Sequence, residues 1–383
     1  MQTPTVTLDA SSLLTPQTGI GRYTEQLVRA LLARREANIR LLCSYRPGAA
    51  QTGEAIASAF SPLGATVIRN PVPNRVLHAS WELLNWPPAE LYAGATDVFH
   101  ATNHLAPPAR RAAVVATIHD LTAIRFPEWH APYQRLVAKY LPKSIKRTRL
   151  ILADSRSTAN DLMSYLDVPE EKIRVVPLAA APHFDRPPSA EALLAVRARY
   201  GLAGGYFLFV GTLEPRKNLG VLLLAYQKLP REIQEAHPLV LVGSRGWEDE
   251  KLITMIDALK AVRWLGRVPD ADLPALMAEA TAFVYPSRFE GFGLPVLEAM
   301  AAGAPVVTSC VSSLPEVTGE GPEAAGLLVE PEDVEGIARA MTRLAEDQAL
   351  REALIRRGRA RAATFSWART AELTMAAYRE VLS

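Results

Sequence analysis

The stretch Phe289 to Gly303, FEGFGLPVLEAMAAG, carries two carboxylates, Glu290 and Glu298, with seven residues between them. Gly291, Gly293 and Pro295 lie in that interval. Glycine permits backbone angles that other residues resist, so Glu290 to Leu294 is expected to form a tight loop. Pro295 suits the first position of a helix, and Gly303 the residue just past its end. Glu290 then stands on the loop and Glu298 one turn into the helix. The N–H groups of Gly293 and Leu294 point out of the helix start, where the dipole favours an anion. The stretch therefore offers a seat for a phosphate beside two carboxylates able to accept bonds from hydroxyls. A ligand carrying both phosphate and sugar hydroxyls fits that inventory. An ordinary loop-to-helix turn is the plainer reading, and the rest of the chain weighs against it.

Three further groups have the chemistry of such a ligand. The segment Gly211-Thr-Leu-Glu-Pro-Arg-Lys-Asn218 directly follows a strand-like run, Tyr206 to Val210. Arg216 and Lys217 would rise at the carboxyl end of that strand, where a forked guanidinium and a point-charge ammonium suit a diphosphate. Gly19 and Gly21 lie between a strand, Thr5 to Asp9, and an amphipathic helix, Tyr23 to Arg34. That is the place for a phosphate-cradling turn, although a dinucleotide fingerprint would need a third glycine. His119 and Asp120 end the apolar strand Ala113 to Ile118, at the strand end where open α/β sheets bind ligands. Asp270-Ala-Asp272 has the Asp-x-Asp spacing of a metal site. It also opens a helix, and an N-cap Asp with a first-turn Asp explains it, so no metal ligand is expected.

These residues need a scaffold that brings many strand ends together. The chain has 383 residues, too many for one ordinary core, so two domains are expected. Hydrophobic residues at 49% and charged residues at 21% describe a soluble globular protein. The formal charge of +2 argues against a nucleic-acid partner. Two distant cysteines, Cys43 and Cys310, suggest a reducing compartment. No apolar run is long enough to span a bilayer, and the first residues are unlike a signal peptide. A cytoplasmic location is expected, with peripheral contact at the inner membrane face open through the basic segment 139–149, where Pro142 should interrupt the helix. Strands and helices alternate up to the Pro-rich stretch Ala179 to Pro188, and the same grammar then restarts. Two successive βα arrays mean two parallel-sheet domains. The expected division is 1–185, 186–365, and a closing helix at 366–383 that begins on an N-cap serine.

Gly-Thr-Leu-Glu-Pro-Arg-Lys-Asn-Leu at 211–219, Leu-Gly-Arg-Val at 265–268 and Tyr-Pro-Ser-Arg-Phe-Glu-Gly-Phe-Gly-Leu-Pro-Val-Leu-Glu-Ala-Met at 285–300 resemble the family-four retaining glycosyltransferases. The resemblance runs from Gly19 to the Trp367 helix. It implies the GT-B fold, an α/β arrangement of two facing Rossmann-like domains with parallel sheets, the first for the acceptor and the second for a nucleotide sugar. The closing helix would pack back towards the first domain. Position by position, it implies that Glu290 binds hydroxyls of the donor sugar and Glu298 the nucleotide ribose. Arg216 and Lys217 would hold the diphosphate with the backbone of Phe292, Gly293 and Leu294. Gly19 and Gly21 would let the first domain approach the phosphates, His119 would contact the sugar near its primary hydroxyl, and Val268 would lie by the base. The segment Ile118 to Glu128 is similar to bacterial members described as mannosyltransferases. Ala179-Ala180-Ala181 departs from the family's usual Gly-Val-Asp before the hinge.

The expected activity is metal-independent, retaining transfer of a hexose from a nucleotide-diphosphate sugar to a saccharide or lipid-linked acceptor of a cell-surface glycan, with no bound cofactor. GDP-mannose is favoured as donor; UDP-glucose and other UDP- or dTDP-sugars remain open. The acceptor is expected near His100, His104 and Trp81. A phosphorylase of the same fold would need a cofactor lysine and a longer chain. A non-catalytic sugar-nucleotide-binding subunit would more easily lose Glu290 or Lys217. An NAD-dependent oxidoreductase would need the full glycine fingerprint.

Overall fold

The computed structural model of the chain describes residues 3–14, 19–44, 50–246 and 250–383. It divides into two compact units, residues 1–178 with 366–383, and residues 179–365. The division precedes the expected 185/186 boundary for a packing reason. Ala179 to Ala181 are buried, and Phe184 in the short turn Pro182–Phe184 is completely buried against the Leu294–Ala302 helix. The Pro-rich stretch is therefore part of the second unit.

Unit 1 is built on a sheet of β1 (Thr5–Asp9), β2 (Asn38–Ser44), β3 (Thr66–Asn70), β4 (Val98–Ala101), β5 (Ala113–Ile118), β6 (Leu150–Ala153) and β7 (Ile173–Val175). The order is β3-β2-β1-β4-β5-β6-β7 and every pairing is parallel. Each residue of β4, β5 and β6 is buried, as expected for strands covered by helices on both faces. The order reverses between β1 and β4, so the chain leaves their carboxyl ends in opposite directions and opens a crevice there.

Unit 2 repeats the plan with β8 (Tyr206–Val210), β9 (Leu239–Val242), β10 (Val262–Trp264), β11 (Ala280–Tyr285), β12 (Val306–Ser309) and β13 (Leu327–Val329). Its parallel order is β10-β9-β8-β11-β12-β13, with the reversal between β8 and β11.

The closing helix Trp367–Leu382 belongs to unit 1. Ser366 caps it by accepting from Arg369 N–H. Ala371, Met375, Tyr378 and Val381 recur at helical spacing and are buried. Thr370 donates to the Pro177 carbonyl at 2.7 Å, and Tyr378 reaches His100 at 2.6 Å.

Two expectations from local sequence fail here. Pro142 does not interrupt its helix, which runs unbroken from Pro132 to Arg147. An interior proline costs about 3 kcal/mol, but Leu141, Ser144 and Ile145 around it are buried. Ser144 also accepts from Ala106 N–H at 2.6 Å and donates to the His104 carbonyl at 3.1 Å. Gly19 and Gly21 do not form a loop before a helix. They are the first turn of the helix Gly19–Arg34 itself. An added side-chain carbon at Gly19 would meet nothing within 4 Å, whereas Gly21 is buried.

Candidate active site

The reversal between β8 and β11 places two loops side by side at the carboxyl ends of those strands. The loop after β8 ends in a tight turn, Pro215–Lys217, followed by Asn218 at φ +61°. The loop after β11 carries Ser287 to Gly293. Backbone and side chains lace the two together. Arg288 N–H and Ser287 hydroxyl both donate to the Arg216 carbonyl, at 2.8 and 2.9 Å, and Asn218 Nδ2 donates to the Pro286 carbonyl at 3.1 Å. A third loop, after β12, adds Ser312, which accepts from Glu290 N–H at 3.0 Å, and Ser313, which donates to the Glu290 carbonyl at 2.9 Å.

Glu290 is the anion at the centre of this knot. Its Oε1 accepts from Lys217 Nζ at 2.6 Å and from the Ser287 hydroxyl at 2.6 Å. Its Oε2 accepts from Arg216 Nη1 at 2.7 Å. Arg216 Nε reaches Glu214 at 2.7 Å, and Lys217 also donates to the Tyr285 hydroxyl at 2.5 Å. Burial by itself would push the Glu290 carboxyl up, but the Arg216 and Lys217 charges outweigh it and hold its pKa down at about 2. Lys217 is pulled down by burial and by Arg216, and pulled up by Glu290 and Glu214. The net is a lowering, with the ammonium 2.6 Å from the Glu290 carboxylate. The result is a preorganised carboxylate with two cations fixed beside it.

The Leu294–Ala302 helix starts at the edge of this cluster. Its cap, Gly293, has φ +105°, and an added side-chain carbon there would sit 2.8 Å from Leu314. Both the angle and the contact require glycine. The helix begins at Leu294, one residue ahead of the expected Pro295, and ends at Gly303 with φ +93°. Glu298 is buried in its second turn, and Phe292 is buried edge-on to Phe365. Val268 is buried in the loop after β10. Arg216, Lys217, Glu290 and the Gly293 helix start are thus one site in unit 2. Sequence reading did not find Glu214, Ser287, Tyr285, Ser312 or Ser313, which are common residue types whose roles arise only from the strand order.

Unit 1 holds a second cluster around His119, just past β5. Its Nδ1 lies 2.6 Å from Asp154 Oδ2, and its Nε2 lies 2.9 Å from the Thr102 carbonyl oxygen. The Thr102 carbonyl can only accept, so Nε2 carries a proton, and an ionised Asp154 draws a second proton to Nδ1. Burial would lower its pKa, but the Asp154 carboxylate, the Thr102 carbonyl and the Asp120 charge outweigh it and raise it. Tyr23 packs edge-on at 4.8 Å and His104 at 5.6 Å between ring centres. Asp154 lies two residues before the helix Arg156–Leu166. Ser155 is the cap, accepting from Thr158 N–H at 3.0 Å, which leaves Asp154 for His119.

The acceptor candidates fare differently. His100 is fully buried between Tyr378 and Thr117, at 2.6 and 2.8 Å, and burial lowers its pKa to about 3. Trp81 is buried against Tyr92 and His78. Both are packing residues of unit 1 and present no surface to an acceptor. His104 is half-buried and bonds to Asn103 at 2.7 Å. Asp272 makes no side-chain cap. It accepts instead from Arg199 and from the Tyr200 hydroxyl, both at 2.6 Å. Among the described residues, no group of three or more His, Cys, Asp or Glu is placed to hold a metal ion.

Comparison with known proteins places this geometry. The glycosyltransferase family 4 model matches residues 17–183, and the model for glycosyl transferases group 1 matches residues 202–361. The O-antigen chain mannosyltransferase B of Escherichia coli is 37% identical over 381 residues, 95% of this chain and 96% of that protein. The chain belongs to the family-four glycosyltransferases. A serotype-specific mannosyltransferase of E. coli, WbdA, is 32% identical over 70% of this chain but only 33% of its own length. The solved structure of Anabaena Alr3699/HepE in complex with UDP and glucose superimposes with a TM-score of 0.73 at 18% identity, covering 99% of this chain and all of that one. The two parallel-sheet units of this glycosyltransferase are those of the GT-B fold. No helix of the described residues is long and apolar enough to cross a membrane.

The charge on His119 has a testable sign. Its folded pKa lies above 6.5, so the stabilisation from the imidazolium is complete below that value and is lost as pH rises through the raised pKa. Ring ¹⁵N resonances are expected to report a doubly protonated His119 at neutral pH. Asp154→Asn should move its deprotonation, and any alkaline limb of activity that depends on it, to lower pH. A neutral ring at pH 7 in the parent protein would overturn the assignment.

Proposed function

We propose that this glycosyltransferase moves mannose from GDP-mannose to a saccharide or lipid-linked acceptor in the synthesis of a cell-surface glycan, with retention of the anomeric configuration. The observation that carries this reading is the Glu290 cluster, with two cations and a helix start on one side of a clamped carboxylate. The mannose preference is supported by the O-antigen chain mannosyltransferase B of E. coli, which matches nearly end to end. A UDP-sugar donor is the second reading, favoured by the UDP and glucose bound in the Anabaena structure.

Arg216, Lys217 and the N–H groups at Gly293 and Leu294 hold the diphosphate. Glu290 accepts from hydroxyls of the donor sugar and Glu298 from the ribose, while Val268 borders the base. His119, which the family resemblance names as a contact of the sugar's primary hydroxyl, has both ring nitrogens engaged within unit 1, so it offers charge more than a mobile proton. The glycosidic C1–O bond to the phosphate breaks as the acceptor oxygen bonds C1 on the same face. The acceptor's proton passes to the departing phosphate oxygen. Fixed cations and N–H groups stabilise that phosphate as it leaves, so the reading includes independence from divalent metal.

Turnover with GDP-mannose, UDP-glucose and dTDP-sugars on lipid-linked and free saccharide acceptors tests the proposal. Activity should be highest with GDP-mannose, survive EDTA, and give an α linkage from the α donor by NMR. Restoration of lost activity by Mg²⁺ or Mn²⁺ after chelation would overturn metal independence. Exclusive use of a UDP-sugar would overturn the mannose assignment.

A further inference from the structure

The loop after β12 breaks two local rules at adjacent residues. Ser312 has φ +56°, in the left-handed region that glycine enters freely and other residues enter at a cost. Ser313 stands at the cap position of the short helix Leu314–Thr318, where a serine oxygen ordinarily accepts from a first-turn N–H. Its hydroxyl makes no such bond. A glycine would relax the first position, and an accepting hydroxyl would stabilise the helix start at the second. Each serine forgoes that local gain, and both hydroxyls go to the same residue. Ser312 accepts from Glu290 N–H at 3.0 Å, and Ser313, completely buried, donates to the Glu290 carbonyl at 2.9 Å. Backbone outliers gather where a fold gives up stability for a functional geometry.

The Glu290 carboxylate is held at its head by Arg216, Lys217 and Ser287. The two serines hold the other end, the peptide from which the side chain springs. The next residue carries the same support to the phosphate seat. Leu314 closes over Gly293, 2.8 Å from where a side-chain carbon would be. Residues 312–314 therefore bear on both ends of the 290–293 loop. That support is itself anchored. Arg361 donates to the Glu316 and Val317 carbonyls at 2.6 and 3.1 Å, which satisfies the last turn of the Leu314–Thr318 helix. Its guanidinium lies 5.1 Å over the Phe365 ring, and Phe365 meets Phe292 edge-on at 5.8 Å.

We propose that Ser312 and Ser313 are positioning residues of the transfer reaction. They fix the Glu290 peptide relative to the Gly293 helix start, so that the sugar hydroxyls and the diphosphate of one donor meet both together. The proposal rests on the reading of Glu290 as a sugar ligand and names what places it. Each serine acts through the Glu290 backbone and touches no reacting atom. Its loss therefore falls on kcat, because the Arg216 and Lys217 cations belong to a different loop. A reactant misplaced by about 1 Å can lose on the order of a hundredfold in rate.

Turnover of GDP-mannose and UDP-glucose on the lipid-linked and free saccharide acceptors tests it, with Ser312→Ala, Ser312→Gly, Ser313→Ala and Glu290→Gln compared in one assay. Each serine variant is expected to lower kcat by about tenfold, the scale of one lost hydrogen bond. Each should bind GDP or UDP like the parent in calorimetric titration. Ser312→Gly decides between positioning and stability, because it relaxes the left-handed backbone while it removes the hydroxyl. It should melt close to the parent and still be slow. A slow Glu290→Gln beside Ser312→Gly and Ser313→Ala at the parent rate would overturn the proposal and leave the Glu290 reading standing. If Glu290→Gln also turns over like the parent, the Glu290 reading itself is wrong. Serine variants whose rate recovers fully well below their melting points, or whose diphosphate binding falls in step with kcat, would also overturn the positioning role.

Discussion

Lys217→Met is expected to lower turnover by about a hundred- to a thousandfold, the scale of losing one preorganised donor to a developing anion. Methionine keeps most of the buried stem and removes only the charge. Arg216→Ala should weaken nucleoside-diphosphate binding on the order of ten- to a hundredfold, as for the loss of a charged hydrogen bond. Lys217 is buried and tied to Glu290 at 2.6 Å and Tyr285 at 2.5 Å, whereas the Arg216 side chain is 21% exposed. The lysine variant therefore has a second consequence. Glu290 loses one of the two cations that hold its pKa at about 2, so its pKa should climb back toward 4.5. A depressed carboxyl stabilises the fold above its unfolded pKa, and that stability is lost as pH falls through the folded value. The variant should lose this contribution at a higher pH than the parent. Calorimetric titration with GDP and UDP measures the binding, and thermal melts across acid pH measure the rest. If both variants bind nucleoside diphosphate as the parent does, the diphosphate seat lies elsewhere.

Glu290→Gln is expected to lower the rate by about a hundredfold, the order that lost positioning can reach, and to leave the product anomer unchanged. Glutamine is nearly isosteric. Its amide oxygen can still accept from Lys217 and Ser287, but its NH₂ then faces Arg216 Nη1, donor against donor, where the carboxylate accepted at 2.7 Å. Removing one partner of a buried ion pair costs about 3–5 kcal/mol, so a lower melting temperature should accompany the kinetic loss. Rates are best compared well below both melting points. A nucleophile would behave differently, because its amide would abolish the covalent step. NMR of the product bond and mass spectrometry of the enzyme during turnover separate the two. An α product and residual activity support positioning; a glycosyl adduct on Glu290 would overturn the front-face reaction.

The sequence by itself determined the pieces and their strand ends. Runs such as Ala113 to Ala116 and Ala282 to Tyr285 are continuously apolar because both faces of a central parallel strand are buried. The reading of Gly293 as a tight turn and Gly303 as a helix stop follows from backbone sterics, which are local. Arg216, Lys217 and Glu290 could be named because each follows a strand within a few residues. Where local rules failed, packing had overruled them. Pro142 stays helical because its neighbours are buried, and His100 and Trp81 look like ligand contacts in sequence but fill the core of unit 1. Only the tertiary structure decided that β8 lies beside β11 and β1 beside β4. That order rests on hydrogen bonds between strands distant in the chain, and short apolar runs do not specify which of them will pair. It brings residues 211–218 against 285–293 and turns Glu290 from a candidate sugar ligand into a carboxylate clamped by Arg216, Lys217 and Ser287. It also gives Asp154 to His119 at 2.6 Å, a charge state that no spacing could reveal, because a proton's position depends on which acceptors the fold sets around the ring.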